Sequence, residues 1–103
     1  MIKAEIKRDH VCISGHAGQG TFGYDVICAG VSALTIAIIN SLEWYVGIKT
    51  DAVIKEGYAE FFIHPMNKLQ TLQASTLTRT LYLALTDMQK ENPESIEVII
   101  PYA

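Results

Sequence analysis

His16 and Cys28 stand on either side of a glycine-rich run, Gly15-His16-Ala17-Gly18-Gln19-Gly20-Thr21-Phe22-Gly23-Tyr24-Asp25-Val26-Ile27-Cys28-Ala29-Gly30-Val31-Ser32. An imidazole beside a thiol is the equipment of nucleophilic catalysis, because the base takes the thiol proton and the thiolate attacks an electrophilic carbon. The pattern predicts that Cys28 opens a long apolar helix, at position N3 if Asp25 is the N-cap. Free N–H groups and the positive end of the macrodipole favour a thiolate there. A free thiol with a pKa near 8.5 is only a few per cent ionised at neutral pH, so a downward shift of about two units makes it mostly thiolate. Taken alone, Cys28 also suits a structural role, since free cysteine is among the most buried residues. The histidine across the loop tips the balance towards chemistry. Ser32, at i+4 from Cys28, shares its helix face and either joins the site or bonds back to a helix carbonyl. Gly18, Gly20 and Gly23 allow the intervening loop to fold over a bound chain or expose its own N–H groups.

Three other patterns fail on geometry. Gly18-x-Gly20-x-x-Gly23 matches the dinucleotide fingerprint, but the acidic partner should end the next strand about 20 residues on. Glu43 has that spacing and falls in the predicted helix, while Glu56, nearer a strand end, comes too late. His10, Cys12 and His16 resemble a ligand set, yet on one extended strand His10 and His16 lie about 20 Å apart at ~3.3 Å per residue. One ion does not bridge that span, and Cys12 is read as structural. Trp44, Tyr45, Tyr58, Phe61 and Phe62 suit core or pocket lining better than base stacking on an acidic chain.

The elements that position the pair follow from hydrophobic period. Ile2 to Lys7 alternates as a strand, with Ile2, Ala4 and Ile6 on one face. Arg8-Asp9 turns the chain into a second strand, His10 to Gly15, with Val11 and Ile13 inward. A loop from Ala17 to Tyr24 precedes a helix from about Val26 to Trp44 or Tyr45, stopped by Gly47. A hairpin follows, Asp51 to Lys55 and Tyr58 to His64, turning at Glu56-Gly57 and closed by Pro65. Asn67 is placed to cap a second helix, Lys68 to about Lys90, whose stripe is Leu77, Leu81, Ala84, Leu85 and Met88. Pro93 ends it, and Ile96 to Ile100 forms the last strand. The order ββαββαβ predicts an α/β (α+β) two-layer fold, two helices packed on a mixed five-stranded sheet. Strand order does not follow from the pattern.

Bulk composition sets the outer bounds. At 103 residues the chain is one domain, 1–103, with 50% apolar and 18% charged residues, so a folded core is expected. A net charge of −3 argues against nucleic acid or anionic membrane as a partner, since both reward basic patches. Two cysteines form no disulfide framework and no signal peptide opens the chain, so the cytoplasm is expected. The uncharged stretch from Val26 to Leu42 is short and polar for a membrane span, carrying Ser32, Thr35, Asn40 and Ser41, and is read as a buried helix. It is apolar nearly all round, which suggests that one side packs against something besides the sheet, a second copy being one candidate.

Gly15-His16, then nine residues to Asp25, then Asp25-x-x-Cys28-Ala29-x-x-Ser32, resembles the signature of the ribosomal-processing cysteine protease family, Prp. The resemblance extends to the chain length and to the element order. It implies an endopeptidase that removes a short N-terminal extension from large-subunit ribosomal protein twenty-seven, with that precursor as its peptide substrate. By position it implies Cys28 as nucleophile and His16 as general base and acid, with Asp25 and Ser32 in support. It also implies a homodimer, and no metal or organic cofactor. Asp25 faces opposed demands, because a carboxylate that caps the helix close to Cys28 opposes a thiolate there. The competing reading is a non-enzymatic, homodimeric ribosome-assembly or protein-binding module that uses the same groove.

Overall fold

A computed structural model describes residues 1–16 and 22–99, and of residues 22–25 the backbone alone. Strands β1 (Ile2–Ile6), β2 (His10–Ser14), β3 (Val53–Lys55), β4 (Tyr58–Phe62) and β5 (Ile96–Val98) form one sheet in the order β3-β4-β2-β1-β5. Helix α1 spans Phe22–Ser41 and helix α2 spans Lys68–Glu91. The expected ββαββαβ order and the mixed five-stranded sheet are both present. β1 pairs antiparallel with β2 and parallel with β5, and β2 and β3 each pair antiparallel with β4.

Period-2 alternation decides which face of the sheet is dry. Ile2, Ala4, Ile6, Val11, Ile13, Phe61, Ile63, Ile96 and Val98 are buried on the helix side. Phe61 is fully buried, a burial that contributes roughly 2–3 kcal/mol. Asn67 caps α2 as expected, its side-chain oxygen accepting from the Gln70 N–H at 2.8 Å. In that helix the residues most deeply buried are Ala74, Thr78, Leu81 and Leu85. The predicted stripe holds at Leu81 and Leu85, with Leu77 and Met88 partly buried against the core, but omitted Thr78, whose hydroxyl donates to the Ala74 carbonyl at 3.0 Å and so needs no water. α2 lies over β5 and β1, and α1 packs beside α2.

Two expectations about α1 are corrected. The helix begins at Phe22 rather than Val26, so Gly23, Tyr24 and Asp25 are helical, and residues 17–21 of the predicted loop lie outside the described residues. Glycine in a helix costs only about 1 kcal/mol relative to alanine, which an added turn of backbone hydrogen bonds outweighs. The helix is also less buried than its composition suggested. The segment Val26–Val46 is long and apolar enough by length and composition to cross a membrane, yet 28% of it is buried. Val31, Thr35, Ile38, Ile39 and Leu42 form the stripe on the sheet, while Val26, Ile36, Trp44 and Tyr45 stay exposed. Past Ser41 the helix widens into a π turn, Leu42–Val46, ended by Gly47 in the left-handed region at φ 82°. The Glu43 carboxylate accepts from the buried Thr50 hydroxyl at 2.6 Å and ties that turn to the chain leaving it.

Candidate active site

His16 is delivered by β2 and seated by the β3–β4 hairpin. Beyond Ser14 the chain bends at Gly15, φ +100°, where a side chain would overlap the carbonyl oxygen of Met1. The Gly15 N–H donates to the Gly57 carbonyl at 2.8 Å, which fixes the bend to the hairpin turn. Gly57 itself has φ +71°, and a Cβ there would stand 2.6 Å from His16 Nε2 and 2.9 Å from Cε1. The imidazole therefore rests on the bare Cα of Gly57. Both glycines are required where they stand, one by the N-terminal strand and one by the ring.

Cys28 comes from the opposite wall. On α1, Cys28, Val31, Ser32, Thr35 and Ile36 follow helical spacing and line a cleft whose other wall is His16, Gly57 and Tyr58. The cleft encloses about 100 Å³, with Ile13 and Ala59 from the sheet and Ile54 and Lys55 from β3 completing it. Cys28 is half-buried and Ser32 is exposed. Gly15, His16, Cys28 and Ser32, singled out by spacing, thus meet in one place. Gly18 and Gly20 lie outside the described residues.

The earlier helix start changes the electrostatics expected of Cys28. The unpaired N–H groups of a helix belong to its first four residues, here Phe22 to Asp25, and the dipole effect fades within the first turn. Cys28 is the seventh helical residue, so it lies in the second turn rather than at N3. Asp25 is the fourth, inside the helix rather than at its N-cap. Sequence reasoning also missed Gly57, Ile54 and Lys55, and assigned Tyr58 only to general lining. Glu56-Gly57 reads as a turn, and nothing local says that β4 pairs with β2 and so brings Gly57 against Gly15.

A second group of titratable residues, His10, Cys12, Tyr58 and Glu60, gathers on the sheet face away from the helices. His10 Nε2 and the Glu60 carboxylate meet at 2.7 Å, and Phe62 packs on the His10 ring at 4.8 Å between centroids. The hydrogen bond with His10 holds Glu60 below its ordinary value of 4.5, against partial desolvation and with help from Tyr58. The Cys12 thiol, then lost hydration, then Glu60 push the Tyr58 phenol up to about 12. Because the folded value of Glu60 is depressed, its contribution to stability is present above pH 4.5 and is lost as pH falls through the lowered value. Thermal unfolding followed across acidic pH should show a drop in Tm that is shallower in Glu60→Gln. A slope identical to the parent's removes the ion pair as its cause.

Among the described residues no three His, Cys, Asp or Glu side chains converge where they would hold a metal ion. Both sheet neighbours of β2 are antiparallel to it, so the glycine run does not open the parallel βαβ unit of a dinucleotide fold.

Comparison with known proteins identifies the family. The family profile of Cysteine protease Prp matches residues 1–97. The Ribosomal processing cysteine protease Prp of Staphylococcus aureus is 25% identical over 97 residues, covering 94% of this chain and 91% of that protein. A crystal structure of SMU.848 from Streptococcus mutans superposes with a TM-score of 0.86 at 26% identity, covering 100% of this chain and 96% of that one. The Staphylococcus aureus Prp solved with a covalently linked product peptide gives a TM-score of 0.77 at 23% identity over 95% of this chain and 97% of that one. A match of the family profile over nearly the whole chain, on the same fold, makes this protein a member of the ribosomal-processing cysteine protease family Prp.

Proposed function

We propose that this protease removes a short N-terminal extension from a ribosomal protein, large-subunit ribosomal protein twenty-seven, in the cytoplasm, using a Cys28–His16 dyad. The observation that carries this reading is the single cleft lined by His16 and Cys28 from different elements. His16 takes the thiol proton and Cys28 Sγ attacks the carbonyl carbon of the scissile bond. The tetrahedral oxyanion collapses, the C–N bond breaks, and His16 returns the proton to the leaving amine. Water then adds to the thioester with His16 as base, releasing the new carboxylate and the thiol. Ser32 supports the site from the turn after Cys28, and Asp25 by complementing the dipole of the first turn.

The peptide-bound structures of Prp from Staphylococcus aureus support a peptide occupant. The working form is a homodimer, which the exposed Val26 and Ile36 of α1 and Trp44 and Tyr45 beyond it favour. The test is to incubate the protein with a precursor carrying the extension and weigh the products. The shortened ribosomal protein should appear, and iodoacetamide near neutral pH should modify Cys28 ahead of Cys12 with matching loss of cleavage. A precursor that stays full length, or cleavage that survives complete alkylation of Cys28, overturns the reading.

A further inference from the structure

We infer that the substrate is bound as an added β-strand, paired with the outer edge of β3 beside the cleft. The inference rests on the protease reading and specifies how the peptide is held. β3 ends the strand order, and among the described residues nothing pairs with its outer edge.

The register decides which groups that edge offers. Gly57 accepts from Gly15, and the Ile63 N–H donates to Asp9, so the odd-numbered residues of β4 bond towards β2. The even-numbered ones therefore bond towards β3, as the Phe62 N–H does in donating to Thr50 at 2.8 Å. Their partners Val53 and Lys55, opposite Glu60 and Tyr58, are thereby satisfied. Ile54, opposite Ala59, turns its N–H and C=O to the open side.

Natural sheets guard such an edge with shortness, lysine, proline, bulges or inward charge. β3 is short and carries Lys55, but it has no proline and exposes Val53 at 40% and Ile54 at 53%. Ile54 shares the helix-side face with Ala59, and both line the cleft that holds His16 and Cys28. A strand added there lies about 4.8 Å outside β3 in the plane of the sheet, alongside Ile54 and Lys55, which also line the cleft. The edge is continuous with the reaction site, which selects an extended peptide as its occupant. Backbone pairing holds any sequence, while alternate side chains enter the cleft for specificity.

The probe is a peptide spanning the processed junction of the precursor, with each residue on both sides of the scissile bond N-methylated in turn. Binding is read by fluorescence anisotropy and cleavage by mass spectrometry. On one side of the bond, methylation at the one residue that pairs with Ile54 should weaken binding about tenfold, with its neighbours within about twofold, as expected for loss of one or two hydrogen bonds. Ile54→Pro removes the outward N–H without touching the β3–β4 ladder. It should raise KM by a similar factor at nearly unchanged kcat, with circular dichroism confirming the fold. A flat methylation scan, or wild-type KM in a folded Ile54→Pro, overturns the proposal. Loss of dimer in light scattering with a flat scan assigns the edge to a second copy and overturns it equally. If the scan shows that one sensitive position but the unmethylated peptide is not cleaved, the edge stands and the cleavage reading falls.

Discussion

Cys28→Ala is expected to lower processing of the precursor by at least about four orders of magnitude, and His16→Gln by nearly as much. Peptide hydrolysis through a thioester has no alternative once the sulfur is gone, so the first loss is a statement about bond making. The second is sharper, because the helix geometry removes the thiol's other support. Had Cys28 occupied the first turn, free N–H groups and the dipole would sustain a thiolate without the imidazole, and His16→Gln would still react with iodoacetamide. With α1 starting at Phe22, Cys28 lies beyond that turn. His16→Gln should therefore slow alkylation of Cys28 as well as cleavage, whereas Cys12→Ala should leave both within about threefold. The measurement is a time course of product mass together with carbamidomethylation at each cysteine. Cleavage retained by Cys28→Ala, or rapid alkylation retained by His16→Gln, would each refute one half of the expectation.

What the sequence showed and what it hid have separate physical causes. The strands were legible because burial on one face imposes period 2, and β2 carried His16 to its end as the pattern required. Helix α2 was legible through Asn67 and the Leu81–Leu85 stripe. In α1 the signal is flat, since alanine, isoleucine and valine surround it, so neither its packed face nor its exposed one stood out. Thr35 is among its most buried residues, its hydroxyl donating to the Val31 carbonyl at 2.7 Å. A polar residue that satisfies itself within its own helix is invisible to hydrophobic periodicity. The π turn depends on Thr50 for Glu43 and on a remote partner, Gln70, for the Val46 carbonyl, which no local window contains. The cleft's helix wall was readable as Cys28 and Ser32 at i and i+4. Its hairpin wall was not, because it exists only once β4 lies beside β2.

Gly57→Ala carries the consequence of that hidden wall. The alanine Cβ would meet His16 Nε2 at 2.6 Å, so the ring must leave its seat, and φ +71° adds a left-handed strain of about 1–2 kcal/mol. The hairpin pairs of β3 and β4 do not depend on that side chain, so the fold should survive with a lowered Tm. A misplacement of about 1 Å in a reacting group costs on the order of a hundredfold in rate, so kcat should fall by that factor or more. KM should move far less, because the peptide edge at Ile54 stays intact. Strain alone is separated by Gly47→Ala, at φ +82°, where a Cβ has only Gln70 Nε2 nearby, at 3.9 Å. Gly47→Ala should lose comparable stability yet keep its kcat, because that glycine touches nothing in the cleft. Equal loss of kcat in both variants would reduce Gly57 to a turn residue, and wild-type kcat in Gly57→Ala would mean that the imidazole works from another position. A selective fall in kcat, with the His16 ring resonances shifted in Gly57→Ala alone, makes the hairpin turn the part of the fold that aims the base.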